Sequence, residues 1–187
     1  MLVQFAIFGL IGPVMLIVAE QSQGTLRRLL TTSVARWQVV GGHLLSIFAT
    51  IFAQQLLMIL VGQLFLGVDY MRAPFATLVM MLAVCLFSSG LGMLIAVISK
   101  AEEQVTTYTI IIALLLSALG GAWFPLDITG TTFARIGHVF PTAWAMDGFQ
   151  NIMVRGLGLT SVLPSALILL GYGVVLFGVA VWRMRAT

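Results

Sequence analysis

Residues 20–42, EQSQGTLRRLLTTSVARWQVVGG, are the one long polar interruption in a chain of apolar runs. They hold three of the nine basic residues, Arg27, Arg28 and Arg36. Leu26, Leu29, Leu30, Val34, Trp37 and Val40 recur at helical spacing, and the arginines fall outside that apolar arc. A segment with this pattern lies along a membrane surface instead of crossing it. It is also the natural place for a soluble partner to grip a membrane protein. The plainer alternative is an amphipathic helix resting on anionic lipid.

Composition requires the membrane. The 187 residues are 60% hydrophobic and 8% charged, with a mean hydropathy of +1.11. Soluble domains carry about 25% charged residues, so this chain cannot solvate a globular surface. Its net charge of +3 is scattered among apolar runs and carries topological information; it is no nucleic-acid signal. The single cysteine, Cys85, has no partner for a disulfide or a zinc site. The first apolar run has no basic n-region and no cleavage site, so it does not read as a signal peptide.

Crossing a bilayer takes about 20 mostly apolar residues. Five runs qualify, at 1–19, 43–67, 74–98, 105–123 and 163–182, within a single transmembrane domain covering 1–187. They are too long and too uniformly apolar for barrel strands, so the fold class is an all-α integral membrane protein. If residues 20–42 are cytoplasmic, that side holds Arg27, Arg28, Arg36, Lys100, Arg183 and Arg185, and the outer side holds only Arg72, Arg135 and Arg155. This bias sets the C-terminus inside and the N-terminus outside. A chain that begins directly in a span on the outer side points to at least one missing upstream span, in a fragment or a split gene product.

The order Glu20, Gly24-Thr25, Leu29-Leu30, Thr31-Thr32 and Arg36-Trp37, followed by a return into the membrane, resembles the permeases of ATP-binding cassette (ABC) type-2 exporters. The later stretches GGAWFPLDITG (120–130) and HVFPTAWAMDGFQNIMVRG (138–156) are similar to that family's connection before its last span. The resemblance covers essentially the whole chain, as the last five of six usual spans. Ser33 stands where the family often has proline, and His43 where a lysine is common.

The resemblance implies that residues 20–42 form a cytoplasmic coupling helix docking on an ATP-binding subunit, through Glu20, Gly24, Thr25, Leu26, Arg27, Arg28, Leu29, Arg36 and Trp37. It implies short re-entrant helices within 124–162, a second permease subunit forming a homo- or heterodimer, and the plasma membrane of a prokaryote. ATP and magnesium belong to the partner subunit; this chain binds no cofactor.

Individual residues leave more than one reading open. Thr31, Thr32 and Ser33 are capable N-caps at the expected elbow. Gln54 and Gln55 fall near the middle of the second span, where amides either bond to another helix or mark a polar point on a substrate path. Ser88, Gly92 and Ala96, and again Ala113, Ser117 and Gly121, repeat at four-residue spacing that lets helices approach closely.

The outer connection carries Trp123, Phe124, Pro125, Pro141, Trp144 and Asp147, which read as an outer gate or as a passive interfacial belt. Pro125 and Pro141 interrupt any helix there. Phe133, Ile136 and Phe140 suit one short helix; Trp144, Gly148 and Asn151 suit the next. His138, Asp127 and Asp147 are metal-ligating types, but nothing in their spacing makes them converge, so no metal is expected.

No catalytic motif is present. Lys100 follows no glycine-rich loop, and neither HExxH nor GxSxG occurs. Within this chain there is no ATP-binding loop, so energy for transport has to come from a partner. The expected function is export of an amphipathic or hydrophobic, drug-like or lipid-like substrate. The alternatives are a membrane-embedded lipid-modifying enzyme, which would need charged catalytic groups at membrane depth, and a passive channel or scaffold.

Overall fold

Pro13 shapes the first element. A proline has no N–H for the carbonyl four residues back, and its ring presses on that carbonyl. In the computed structural model, which describes residues 2–23, 36–65, 67–123 and 135–186 (of 36, 37 and 184–186 only the backbone), the chain accordingly breaks one turn earlier. Helix α1, Leu2–Phe8, stops at Gly9-Leu10, and α2, Ile11–Ser22, resumes beyond. Leu10 N–H donates to Ile7 O at 3.1 Å, a tightened turn, and Val14 N–H to Leu10 O at 3.0 Å restarts the helical ladder. The two pieces act as one span, Leu2–Ser22.

The second span begins earlier than hydropathy places it. Helix α3 runs Arg36–Phe65, 30 residues, or about 45 Å at 1.5 Å per residue. That exceeds the ~30 Å hydrocarbon core. Arg36 and Trp37, read from the sequence as part of the surface segment 20–42, are therefore the first turn of this long helix. The physical reason is that nothing between 36 and 42 stops a helix. Gly41 and Gly42 cost about 1 kcal/mol each relative to alanine, too little to end a helix of this length. Glu20 likewise lies within α2, in its last turns, and not in a separate surface element.

A 3-10 turn, Tyr70–Arg72, leads into α4, Pro74–Ile98, with Pro74 in its first turn, where a missing N–H costs nothing. Helix α5 is Glu102–Leu119, with Glu102 and Glu103 at its positive end. Helix α6, Pro141–Met153, is too short to span, and α7 runs Leu159–Ala186. Among the described residues five helices are long and apolar enough to cross a membrane, in an all-α integral membrane fold.

Helix α4 is the axis of the bundle, with 72% of its span buried against no more than 44% in any other. Its most extensive contact is with α7, where two glycines bring the backbones together. A Cβ on Gly90 would lie 2.5 Å from Gly173 O, so any larger residue forces the helices apart. The Ser88, Gly92 and Ala96 positions are buried on α4, and a Cβ on Gly92 would meet Leu10, Val14 and Ile47 at 2.9–3.4 Å. That part of α4 therefore receives the first span and α3.

Helix α5 buries the stripe Val105, Thr109, Ala113 and Ser117, and its main contacts are with α1 and α2. On the outside, Leu56, Leu57, Leu60 and Leu64 of α3 and Leu167, Val174 and Val175 of α7 are exposed. In lipid this costs nothing, because acyl chains are as apolar as leucine.

Candidate functional sites at the two ends of the bundle

The spans alternate in direction, so the molecule has a Lys100 end and a Trp123 end. At the Lys100 end, α2 finishes beside the early part of α3. There Glu20 Oε2 lies 3.8 Å from His43 Nε2. The two side chains approach each other across the helices that flank residues 24–35, beyond hydrogen-bond distance, and His43 Nε2 is buried without a hydrogen-bond partner. Of the docking residues read from the sequence, Gly24, Thr25, Leu26, Arg27, Arg28 and Leu29 lie outside the described residues, as do Thr31, Thr32 and Ser33. Arg36 and Trp37 enter α3 at this end by their backbone.

Nearby, Lys100 N–H donates to Gln104 Oε1 at 2.8 Å, a side chain reaching back over the start of α5 to satisfy a backbone donor. An open cleft of about 730 Å³ lies between Met15 and Ser22 of α2 and the start of α5, with Lys100, Glu102, Glu103 and Thr106 on its wall.

In the middle, the two glutamines behave differently. Gln54 Nε2 donates to Phe5 O at 2.9 Å, and its amide fills the space beside Gly9, where a Cβ would meet it. The break that Pro13 creates is thus covered by an amide from α3. Gln55 continues the buried stripe Ile47, Ile51, Ile59 and is 1% exposed, yet neither amide atom has a hydrogen-bond partner.

A buried polar group without a partner costs about 1–3 kcal/mol. The variant Gln55→Leu, of similar volume, is expected to raise the melting temperature of the purified chain. If the amide serves a polar path, transport falls in the same variant; stability and transport rising or staying level together would reduce Gln55 to packing.

At the Trp123 end, Pro141 separates a turn at 135–137 from α6 and begins that helix. Thr142 Oγ1 donates to Leu116 O at 2.6 Å, which seats the start of α6 on the end of α5. The fit leaves no room at Gly120, whose Cβ would collide with the Thr142 side chain. Trp123 Nε1 donates to Gln4 Oε1 at 3.1 Å, joining the end of α5 to α1.

Trp144 Nε1 donates to His138 O at 2.8 Å, and its ring meets the His138 imidazole edge-on at 5.2 Å. His138 Nε2 lies 2.7 Å from Asp147 Oδ2, and Tyr172 OH of α7 donates to Val139 O at 2.6 Å. Phe124, Pro125 and Asp127 lie outside the described residues. Among those described, no three metal-ligating side chains cluster. Burial raises the Tyr70 phenol above its ordinary value; its ring fills the space left by Gly62 of α3.

An all-α bundle of five spans, broken in the first and closed at one end by a short helix, is matched along nearly its whole length by the family model of ABC-2 family transporter proteins, over residues 1–182. The chain belongs to the ABC-2 transporter family. It is 26% identical to the linearmycin resistance permease protein LnrN of Bacillus subtilis over 97% of this chain and 47% of that protein. It is 24% identical to the inner membrane transport permease YhhJ of Escherichia coli over 91% of this chain and 46% of that protein. The chain thus spans about half the length of the curated relatives it matches. No solved structure matches it significantly.

Several contacts of this ABC-2 chain were not readable from its sequence. Glu20 and His43 are too far apart in the chain for a pattern to pair them. Gln4, Thr142 and Tyr172 act through a backbone or side-chain atom distant in the chain, which no spacing predicts. The available signal was Pro141-Thr142, a proline with a hydroxyl beside it at a helix start.

Proposed function

We propose that this chain forms the membrane-spanning part of an ATP-driven exporter that moves an amphipathic or hydrophobic substrate out of the cytoplasm. The observation that carries the reading is membership of the ABC-2 transporter family across 182 residues in a five-span helical bundle. The Lys100 end is assigned to the cytoplasm by its excess of basic residues, and the Trp123 end to the outer face of a prokaryotic plasma membrane.

The connection between the first two spans then lies on the cytoplasmic side, where an ATP-binding subunit docks on it and on the helix ends within residues 20–42. That subunit supplies ATP and magnesium. A second permease subunit, identical or different, completes the pathway. A relative named for resistance to linearmycin fits outward movement of a harmful compound. A membrane-embedded lipid-modifying enzyme is less well supported: among the described residues, charged groups sit at span ends and connections and not at membrane depth.

The gate reading follows from how few hydrogen bonds join separate segments at the Trp123 end among the described residues. Thr142 to Leu116, Trp123 to Gln4 and Tyr172 to Val139 are single hydrogen bonds, each contributing about 1 kcal/mol net. Closure of the docked subunits on ATP can outweigh a few such bonds, part α6 from α5 and release substrate. Trp123, Phe124, Pro125, Pro141, Trp144 and Asp147 form this gate, and Gln54 and Gln55 mark the path towards it.

The test uses the full-length protein co-expressed with a candidate ATP-binding subunit, in inside-out vesicles. ATP is expected to drive uptake of a fluorescent amphipathic dye, and a non-hydrolysable analogue is not. Equal dye uptake with and without ATP would remove the reading in favour of a passive channel.

A further inference from the structure

Arg72 and Gly156 touch where two separate connections meet at the Trp123 end. Arg72 closes the 3-10 turn between α3 and α4, and Gly156 lies between α6 and α7. A Cβ on Gly156 would lie 2.7 Å from Arg72 Cζ and 2.8 Å from Nη2, and Gly156 adopts φ +63°. Only glycine meets both demands without strain, so the guanidinium lies directly over bare backbone.

Arg72 makes no hydrogen bond or ion pair among the described residues, and it is exposed. The adjacent Arg155 is fixed by its Nη1 donating to Asn151 Oδ1 at 2.9 Å. Asp69, in the same turn as Arg72, is the nearest acidic residue in sequence and is exposed, with no ion pair to Arg72.

The setting is apolar. Met71 is 61% exposed, Phe75 76% and Val154 77%. In a spanning protein such side chains suit the acyl region, and Arg72 and Arg155 are their neighbours along the chain. Arginine is the side chain suited to phosphate, offering several donors in one plane. A charge-assisted hydrogen bond from a guanidinium to a phosphate oxygen is among the stronger ones a side chain can offer.

We propose that Arg72, held over Gly156 and flanked by Arg155, binds the phosphate of an anionic phospholipid at the membrane face of the Trp123 end. The lipid's phosphate receives the unpaired guanidinium donors of Arg72 while its acyl chains lie along Met71, Phe75 and Val154. The site is independent of the transport reading and needs only that the bundle spans a bilayer.

Native mass spectrometry of the purified full chain in detergent tests it. The probes are phosphatidylglycerol, diacylglycerol with the same acyl chains, and inorganic phosphate. Phosphatidylglycerol adducts are expected to fall about tenfold in Arg72→Gln, the loss of one or two charge-assisted hydrogen bonds. Gly156→Ala is expected to act similarly by displacing the guanidinium, and Lys100→Gln at the opposite end is expected to leave adducts unchanged.

Arg72→Gln removes an exposed group that bonds to nothing in the protein, so its melting temperature without lipid should match the wild type. Equal phosphatidylglycerol binding by wild type and Arg72→Gln overturns the proposal, as does equal binding of diacylglycerol. Displacement of the lipid by millimolar inorganic phosphate overturns the lipid assignment in favour of a soluble phosphate-bearing ligand.

Discussion

Reversing two charges, Arg27→Glu with Arg28→Glu, is expected to weaken recovery of the ATP-binding subunit about 100-fold in co-purification. Both arginines fall outside the apolar arc of residues 20–42, so on the proposed coupling helix they face the partner while the leucines face lipid. Placing like charges against an acidic docking surface costs several kcal/mol, and every 1.4 kcal/mol is tenfold in affinity.

The exchange leaves Leu26, Leu29 and Leu30 in place but lowers the cytoplasmic basic residues from six to four against three outside, so the orientation of the variant is checked alongside recovery. The control is Arg135→Glu, a single charge reversal at the opposite end of the bundle. Undiminished recovery of the subunit by the double variant would mean that residues 20–42 do not dock through their arginines. Recovery lost equally in the control would point to general charge effects.

What the sequence could disclose follows from the reach of each physical signal. The five spans are long-range averages of apolarity, which no local detail can hide, and they are visible without coordinates. Their ends are not. Arg36 and Trp37 look like part of a surface segment because they are polar or amphipathic, yet a helix ends where its hydrogen bonding is interrupted, and nothing interrupts it there. Pro13 was the opposite case, an interruption inside an apolar run whose effect on Gly9-Leu10 hydropathy averages away.

The sites divide in the same manner. The residues proposed for the gate share a stretch of chain, so they could be named together. Their partners, Gln4 for Trp123 and Leu116 for Thr142, come from other helices. Gln54 and Gln55 are adjacent and identical, but a helix turns 100° between neighbours. One therefore reaches the α1 break while the other enters the buried stripe. That distinction exists only in three dimensions.

Locking the Trp123 end gives the second large effect. In a Cys85→Ala background, which removes the one cysteine of these 187 residues, Gly120→Cys with Thr142→Cys places two sulfurs across the contact between α5 and α6. A Cβ on Gly120 would sit 2.5 Å from Thr142 Cβ. A disulfide wants roughly 3.5–4.5 Å, so the two elements need to part by about 1 Å to form it. That is a small shift for α6, because one hydrogen bond is lost with the threonine hydroxyl.

If α6 must leave α5 to release substrate, oxidation is expected to reduce ATP-driven transport to below about one-tenth of the reduced protein. ATP hydrolysis by the docked subunit should persist at first, since the lock lies at the far end of the bundle, and dithiothreitol should restore transport. Full transport by the cross-linked protein would show that the two helices stay together through the cycle. The hydrogen bonds at Thr142 and Trp123 would then be static ties, and the exit would have to open elsewhere, between this chain and its partner subunit.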